Sequence, residues 1–246
     1  MDEQPCLVCA KATTAKCGPC FAVGVDMRFC SRECQKLIWY AHKRFCGSAK
    51  PKLPLLSKEE ANDAKQNRKV PAMYFTDGAE GPFSLEEMFQ RFLRVPVGGD
   101  IGPMIDLVTE GVTRSDMKEN LLLVIIRGVR WQREQIAGRI FDSPLDMLGN
   151  LELQLSMETR DPFVLAGLTP YLPLLRHRAL ILFAAVEQFS KVPVPPAHFA
   201  NSDLPATYEV LLQWIDKDLA RLTSPTVAKQ VRDAMDRAFV MLRVKT

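Results

Sequence analysis

The chain has 246 residues, 47% of them hydrophobic and 25% charged, with a formal net charge of +3. That apolar content suffices for one small module and one domain with a core of its own, which excludes a chain disordered throughout. The longest unbroken apolar run, Ala179 to Val186, is far short of the roughly 18 residues that would read as membrane-spanning.

Met1-Asp2-Glu3-Gln4-Pro5 has neither a basic n-region nor an apolar run, so no signal peptide is expected. All seven cysteines then fall between Cys6 and Cys46, arranged with one histidine as four short-spaced pairs: Cys6/Cys9, Cys17/Cys20, Cys30/Cys34 and His42/Cys46. A structural zinc takes four thiolate or imidazole donors in a tetrahedron, so eight such donors with no oxygen ligand among them predict two closed sites. Seven thiolates take the formal charge from +3 to −4 and two zinc ions return it to zero, which removes the basic surplus a nucleic-acid binder usually carries. Cysteines used as metal thiolates fit a reducing, intracellular location, nucleus or cytoplasm.

Ser31 stands at an N-cap position with Glu33 in the first turn, which predicts a helix from about Ser31 to Phe45. Eight residues along a helix separate Cys34 from His42 by about 12 Å, too far for one metal. The third and fourth pairs therefore belong to different zincs. Either the first pair joins the third and the second the fourth, or the first joins the fourth and the second the third; helix geometry does not choose.

The string Phe29-Cys30-Ser31-Arg32-Glu33-Cys34-Gln35, followed by Trp39-x2-His42-x3-Cys46, resembles the MYND zinc finger. The related HIT-type finger lacks this Gln and Trp arrangement, and RING fingers place a histidine among the middle ligands. The resemblance implies the interleaved cross-brace: Cys6, Cys9, Cys30 and Cys34 on one zinc, and Cys17, Cys20, His42 and Cys46 on the other. It also implies binding of short proline-rich peptides, with Gln35 and Trp39 at the peptide and the segment Phe21 to Phe29 beside it. The nine residues between Cys20 and Cys30 are more than the family usually has there. MYND fingers also occur in SET-domain methyltransferases, but the cysteine cluster that accompanies the finger there has no counterpart after Cys46.

Residues 51–83, interrupted by Pro51 and Pro54 and rich in lysine, read as a linker carrying a short helix that begins at the capping box Ser57 to Glu60. Residues 84–246 read as an all-α helical domain. Ser84 to Glu87 is a second capping box, and Ser143-Pro144, Asp161-Pro162, Thr169-Pro170 and Ser224-Pro225 each place an N-cap residue before a proline. Leu121 to Ile126 suits a buried central helix over about 115–140. Tyr208, Leu211, Leu212, Ile215, Leu219 and Leu222 form one helical stripe, and Val231, Met235, Ala238, Phe239 and Leu242 form another. Gly98 to Gly102 reads as a turn, since it has no phosphate-loop spacing.

No catalytic motif accompanies these elements, so an enzyme is not expected. His177, between two arginines, and His198 read as structural or solvent-facing. The fold class expected is thus a small α+β cross-brace di-zinc module (1–50) followed by a predominantly α-helical domain. The function expected is that of a zinc-binding intracellular adaptor or regulatory protein whose partners carry proline-rich motifs, with no membrane association. Two alternatives stand: a helical structural protein with the finger as a folding staple, and a nucleic-acid-binding regulator using Arg127, Arg130, Trp131, Arg133 and Arg139.

Overall fold

The computed structural model describes residues 3–72, 82–112, 116–137, 143–158, 167–191 and 204–243. Compactness divides the chain into two units: residues 1–52 together with 155–246, and residues 53–154. The zinc-ligand region thus shares its unit with the C-terminal helices, and the grouping does not follow the boundaries drawn from composition.

In the first unit, β1 (Gln4–Pro5) pairs antiparallel with β2 (Ala12–Thr13), and a short helix α1 (Gly18–Ala22) follows. The helix expected over 31–45 is two pieces, α2 (Arg32–Leu37) and α3 (Trp39–His42). Ser31 caps the first as expected, its side chain accepting from the Cys34 N–H. The break falls at Ile38, fully buried with φ −106° and ψ 9°. Continuous helix would hold His42 on the axis set by Cys34; the kink lets the chain turn toward a second cluster.

Helix α3 packs on the long helix Leu172–Lys191, whose segment Ala179 to Ala185 is buried. That helix begins two residues after Pro170, following a turn in which Tyr171 N–H donates to Leu168 O at 2.9 Å. Leu204–Trp214 then runs into a π-helical turn, Ile215–Leu219, before its last turn Ala220–Leu222. Tyr208, Leu211, Leu212, Ile215 and Leu219 are buried as the stripe predicts, but Leu222 is 39% exposed. A π-turn spends an extra residue per turn, which rotates everything after it off the α-helical face. The last helix, Pro225–Arg243, packs on this turn through a buried face that includes Val231, Ala234 and Met235.

The second unit contains α4 (Lys58–Gln66), α5 (Leu85–Leu93), α6 (Gly102–Glu110), α7 (Asp116–Ile136) and most of α8 (Pro144–Glu158). Both capping boxes form, Ser57 with Glu60 and Ser84 with Glu87. The stretch that composition marks as a linker is packed: Leu53, Leu56, Ala61 and Ala64 are buried. Its acidic residues hold the arginines of α7. Glu60 meets Arg127 at 3.1 Å, Asp63 meets Arg133 at 2.7 Å and Arg130 at 3.4 Å, and Arg130 reaches the buried Asp146 at 3.3 Å. Helices α7 and α8 cross where Gly128 and Gly149 face each other; a Cβ built on Gly149 would lie 2.5 Å from the Arg127 Cβ. Asp161-Pro162, His198 and Arg139, and the side chains of Arg237 to Leu242, lie outside the described residues. Among the described residues, no helix is long and apolar enough to cross a membrane.

Candidate metal centre

The eight predicted ligands gather into two clusters, Cys6, Cys9, Cys30 and Cys34 in one and Cys17, Cys20, His42 and Cys46 in the other, the donor atoms of each lying within 4.8 Å of one another. Of the two pairings left open by helix geometry, the interleaved one is therefore the arrangement in the fold. Each pair is delivered by a different local device, Cys6 and Cys9 by the turn between β1 and β2. Cys17 precedes α1 and Cys20 sits inside it, Cys30 and Cys34 flank the capped start of α2, and His42 ends α3 with Cys46 one turn beyond.

The spacing within each cluster tests the metal. Four ligands at Zn–S of about 2.3 Å and Zn–N of about 2.0 Å in a tetrahedron stand roughly 3.5–3.8 Å apart. Cys9 and Cys34 sulfurs both lie 3.4–3.7 Å from their neighbours, at 3.4 Å for Cys9–Cys30, 3.4 Å for Cys30–Cys34 and 3.7 Å for Cys34–Cys9. In the second cluster Cys17 lies 3.4 Å from His42 Nε2 and 3.6 Å from Cys46, and Cys20 lies 3.9 Å from both. All seven cysteines are free of disulfides. The donors are soft, tetrahedrally spaced and leave no open position, as two structural zinc ions require.

Electrostatics point the same way. Hydrogen bonding from Cys34 brings the Cys6 thiol down to about 5, and that bond, with burial, pushes Cys34 up. Burial raises Cys9 and Cys46 to about 12 and also raises Cys20. Protein groups alone thus favour the thiolate at Cys6 and the thiol at Cys9 and Cys34; four adjacent negative charges need a dication among them.

His42 is fully buried and burial lowers it to about 4, so it is a neutral imidazole. With Nε2 directed at the sulfurs as the ligand nitrogen, its proton sits on Nδ1 and is donated to His177 Nε2 at 2.8 Å. His177 is itself 1% exposed and held neutral by burial, at about 3. Accepting at Nε2 leaves its proton on Nδ1, which is buried without a hydrogen-bond partner. The sequence reading placed His177 among structural residues but gave no sign that it supports a zinc ligand 135 residues earlier in the chain.

Three more contacts join the finger to the helices of its unit: Tyr40 Oη to Glu187, Thr207 Oγ1 to Val8 O at 2.9 Å, and Arg178 Nη2 to Asp26 O at 2.9 Å. Gln35 directs Nε2 to Cys17 Sγ at 3.6 Å, so it leans on a metal-ligating sulfur. Trp39 lies near His42, with ring centroids 5.7 Å apart and the rings tilted by 58°, and remains 44% exposed. In the segment Phe21 to Phe29, the Asp26, Met27 and Arg28 carbonyls already accept from Arg178, Cys17 N–H and Leu7 N–H.

Residues 6–46 match the model of the MYND finger family, and no family matches the rest of the chain. Comparison with curated proteins and with solved structures found no match. The N-terminal segment is thus a MYND finger, a module that typically mediates protein interactions, carried by a predominantly helical chain.

Proposed function

We propose that this protein is an intracellular adaptor whose MYND finger docks proline-rich peptide segments of partner proteins, a binding role and not a catalytic one. The observation that carries the reading is Trp39: an indole in the family's diagnostic string, near the buried His42, yet 44% exposed. An exposed aromatic offers a flat surface to a proline ring, and a proline-rich segment is already extended, which keeps the entropic cost low. Phe21 and Val23, 55% and 38% exposed, add apolar surface to the same finger. Because the carbonyls of residues 26–28 have internal donors, they do not pair with the peptide, which takes its polar contacts from Gln35. Titrating the zinc-loaded chain with a Pro-x-Leu-x-Pro peptide should give micromolar to millimolar binding that Trp39→Ala removes at unchanged zinc content. No saturable binding at millimolar peptide would eliminate the reading.

One specific set of contacts favours a second reading, in which the finger chiefly staples the helices. His42–His177, Tyr40–Glu187, Thr207–Val8 and Arg178–Asp26 tie it to residues 155–246. The nucleic-acid reading is less favoured, because Arg127, Arg130 and Arg133 spend their guanidinium groups on Glu60, Asp63 and Asp146.

A further inference from the structure

A cleft of about 410 Å³ lies within the first unit, between finger residues and the C-terminal helices. Its size is that of ligand pockets, about 300–1,000 Å³. None of the eight metal ligands, nor Gln35 or Trp39, lines it.

Its chemistry is uneven. Leu7, Leu174 and Val210 give it apolar walls, and four cations and two carboxylates line the rest. Arg28 holds Asp26 through Nε and Nη2 at 2.9–3.1 Å, and Arg221 stands 3.6 Å from Asp218. Each carboxylate is thereby matched by an arginine. Beyond these pairs the cleft holds two further cations, Arg178, which also feels Asp26 and Asp218, and Lys217. Arg178 lies over the Trp214 ring at 4.8 Å and gives Nη2 to the Asp26 carbonyl, but its Nε is buried with no hydrogen-bond partner. A buried charged donor without an acceptor is costly, so an acceptor that reaches it would remove that cost. Lys217 is exposed and stands on the π-turn, an irregularity that recurs at functional sites because it re-aims side chains that an α-helix would place elsewhere.

We propose that this cleft binds an acidic peptide segment, a carboxylate meeting Arg178 and Lys217 while a neighbouring apolar side chain lies against Leu7, Leu174 and Val210. An excess of two cations over carboxylates in the lining fits one or two carboxylates from a ligand. A phosphate dianion fits less well, since Asp26 and Asp218 face the same space and Leu7, Leu174 and Val210 make part of the wall apolar. The site differs in place and in ligand charge from the proline-peptide surface at Trp39.

Calorimetric titration of the zinc-loaded full chain decides it, with acetyl-Leu-Glu-Leu-Asp-amide as probe and acetyl-Leu-Gln-Leu-Asn-amide as its neutral counterpart. The acidic peptide is expected to bind saturably, at least tenfold more tightly than the neutral one, and to stay bound when excess Pro-x-Leu-x-Pro peptide is added. Arg178→Gln should abolish binding. Lys217→Glu, at an exposed position where folding is not at stake, should weaken it at least tenfold. Equal affinity for the two peptides, undiminished binding by Lys217→Glu, displacement by the proline peptide, displacement by an equal concentration of inorganic phosphate, or no heat at millimolar peptide would each overturn the proposal.

Discussion

At the scale of single residues, the zinc ligands are decided by local spacing while their support is not. Pairs such as Cys30/Cys34 announce themselves because both donors must leave one short stretch of chain, whatever the rest of the molecule does. His177 announces nothing: it sits between Arg176 and Arg178, and only the fold brings its Nε2 to the Nδ1–H of His42. Outer partners of this kind fix the tautomer and orientation of a ligating imidazole, and their loss typically costs about 10–100-fold in metal affinity. His177→Ala should therefore speed zinc loss from the cluster of Cys17, Cys20, His42 and Cys46 by a comparable factor and leave the other cluster unchanged. A chromogenic chelator resolving the two zinc ions kinetically would measure this. His177→Gln, which keeps an acceptor in reach, should recover part of the loss; equal release from both clusters in His177→Ala would show that the bond has no such role.

At the scale of elements, starts were legible and interruptions were not. The boxes Ser57/Glu60 and Ser84/Glu87 satisfy free first-turn donors within four residues, so the sequence contains the whole device. Ser143-Pro144 and Ser224-Pro225 likewise open helices at Pro144 and Pro225. The break at Ile38 and the π-turn at Ile215–Leu219 answer to packing from elsewhere in the unit, and no local residue signals either. The crossing of α7 and α8 is a third such case, because a mid-helix glycine reads as a small propensity cost until its neighbour is known. Gly149→Ala would place a methyl group 2.5 Å from the Arg127 Cβ and 3.1 Å from the Gly128 nitrogen. Backbone must move to admit it, so the substitution should destabilise residues 53–154 by about 1–3 kcal/mol despite the better helix propensity of alanine. Thermal unfolding reads the sign directly: a raised midpoint would mean that the helices part freely at this crossing.

At the scale of the whole molecule, composition suggested a finger, a linker and a helical domain in sequence, because chemistry changes at residue 50 and again near residue 84. Compactness follows other physics. The finger has too few residues to bury a sufficient core of its own, and its buried Phe45 and His42 meet His177 from the C-terminal helices. Metal binding and the order of residues 155–243 should therefore be linked. Structural zinc contributes on the order of 10 kcal/mol at neutral pH, so chelation should raise amide exchange not only in residues 6–46 but also along Leu172–Lys191. Residues 53–154, which hold no metal ligand and have their own buried ion network, should keep their protection. The pH dependence has a definite sign. Without metal, thiols such as Cys9 and Cys46, at about 12, keep their protons at neutral pH, so zinc binding releases protons. Acid favours the protonated side of that equilibrium and should weaken zinc retention, loosening Leu172–Lys191 in step with the finger, whereas raising the pH from neutral should tighten both. Hydrogen exchange followed by mass spectrometry, with and without chelator across this range, separates the cases. Protection in Leu172–Lys191 that is indifferent to zinc would mean that the helices fold independently of the metal.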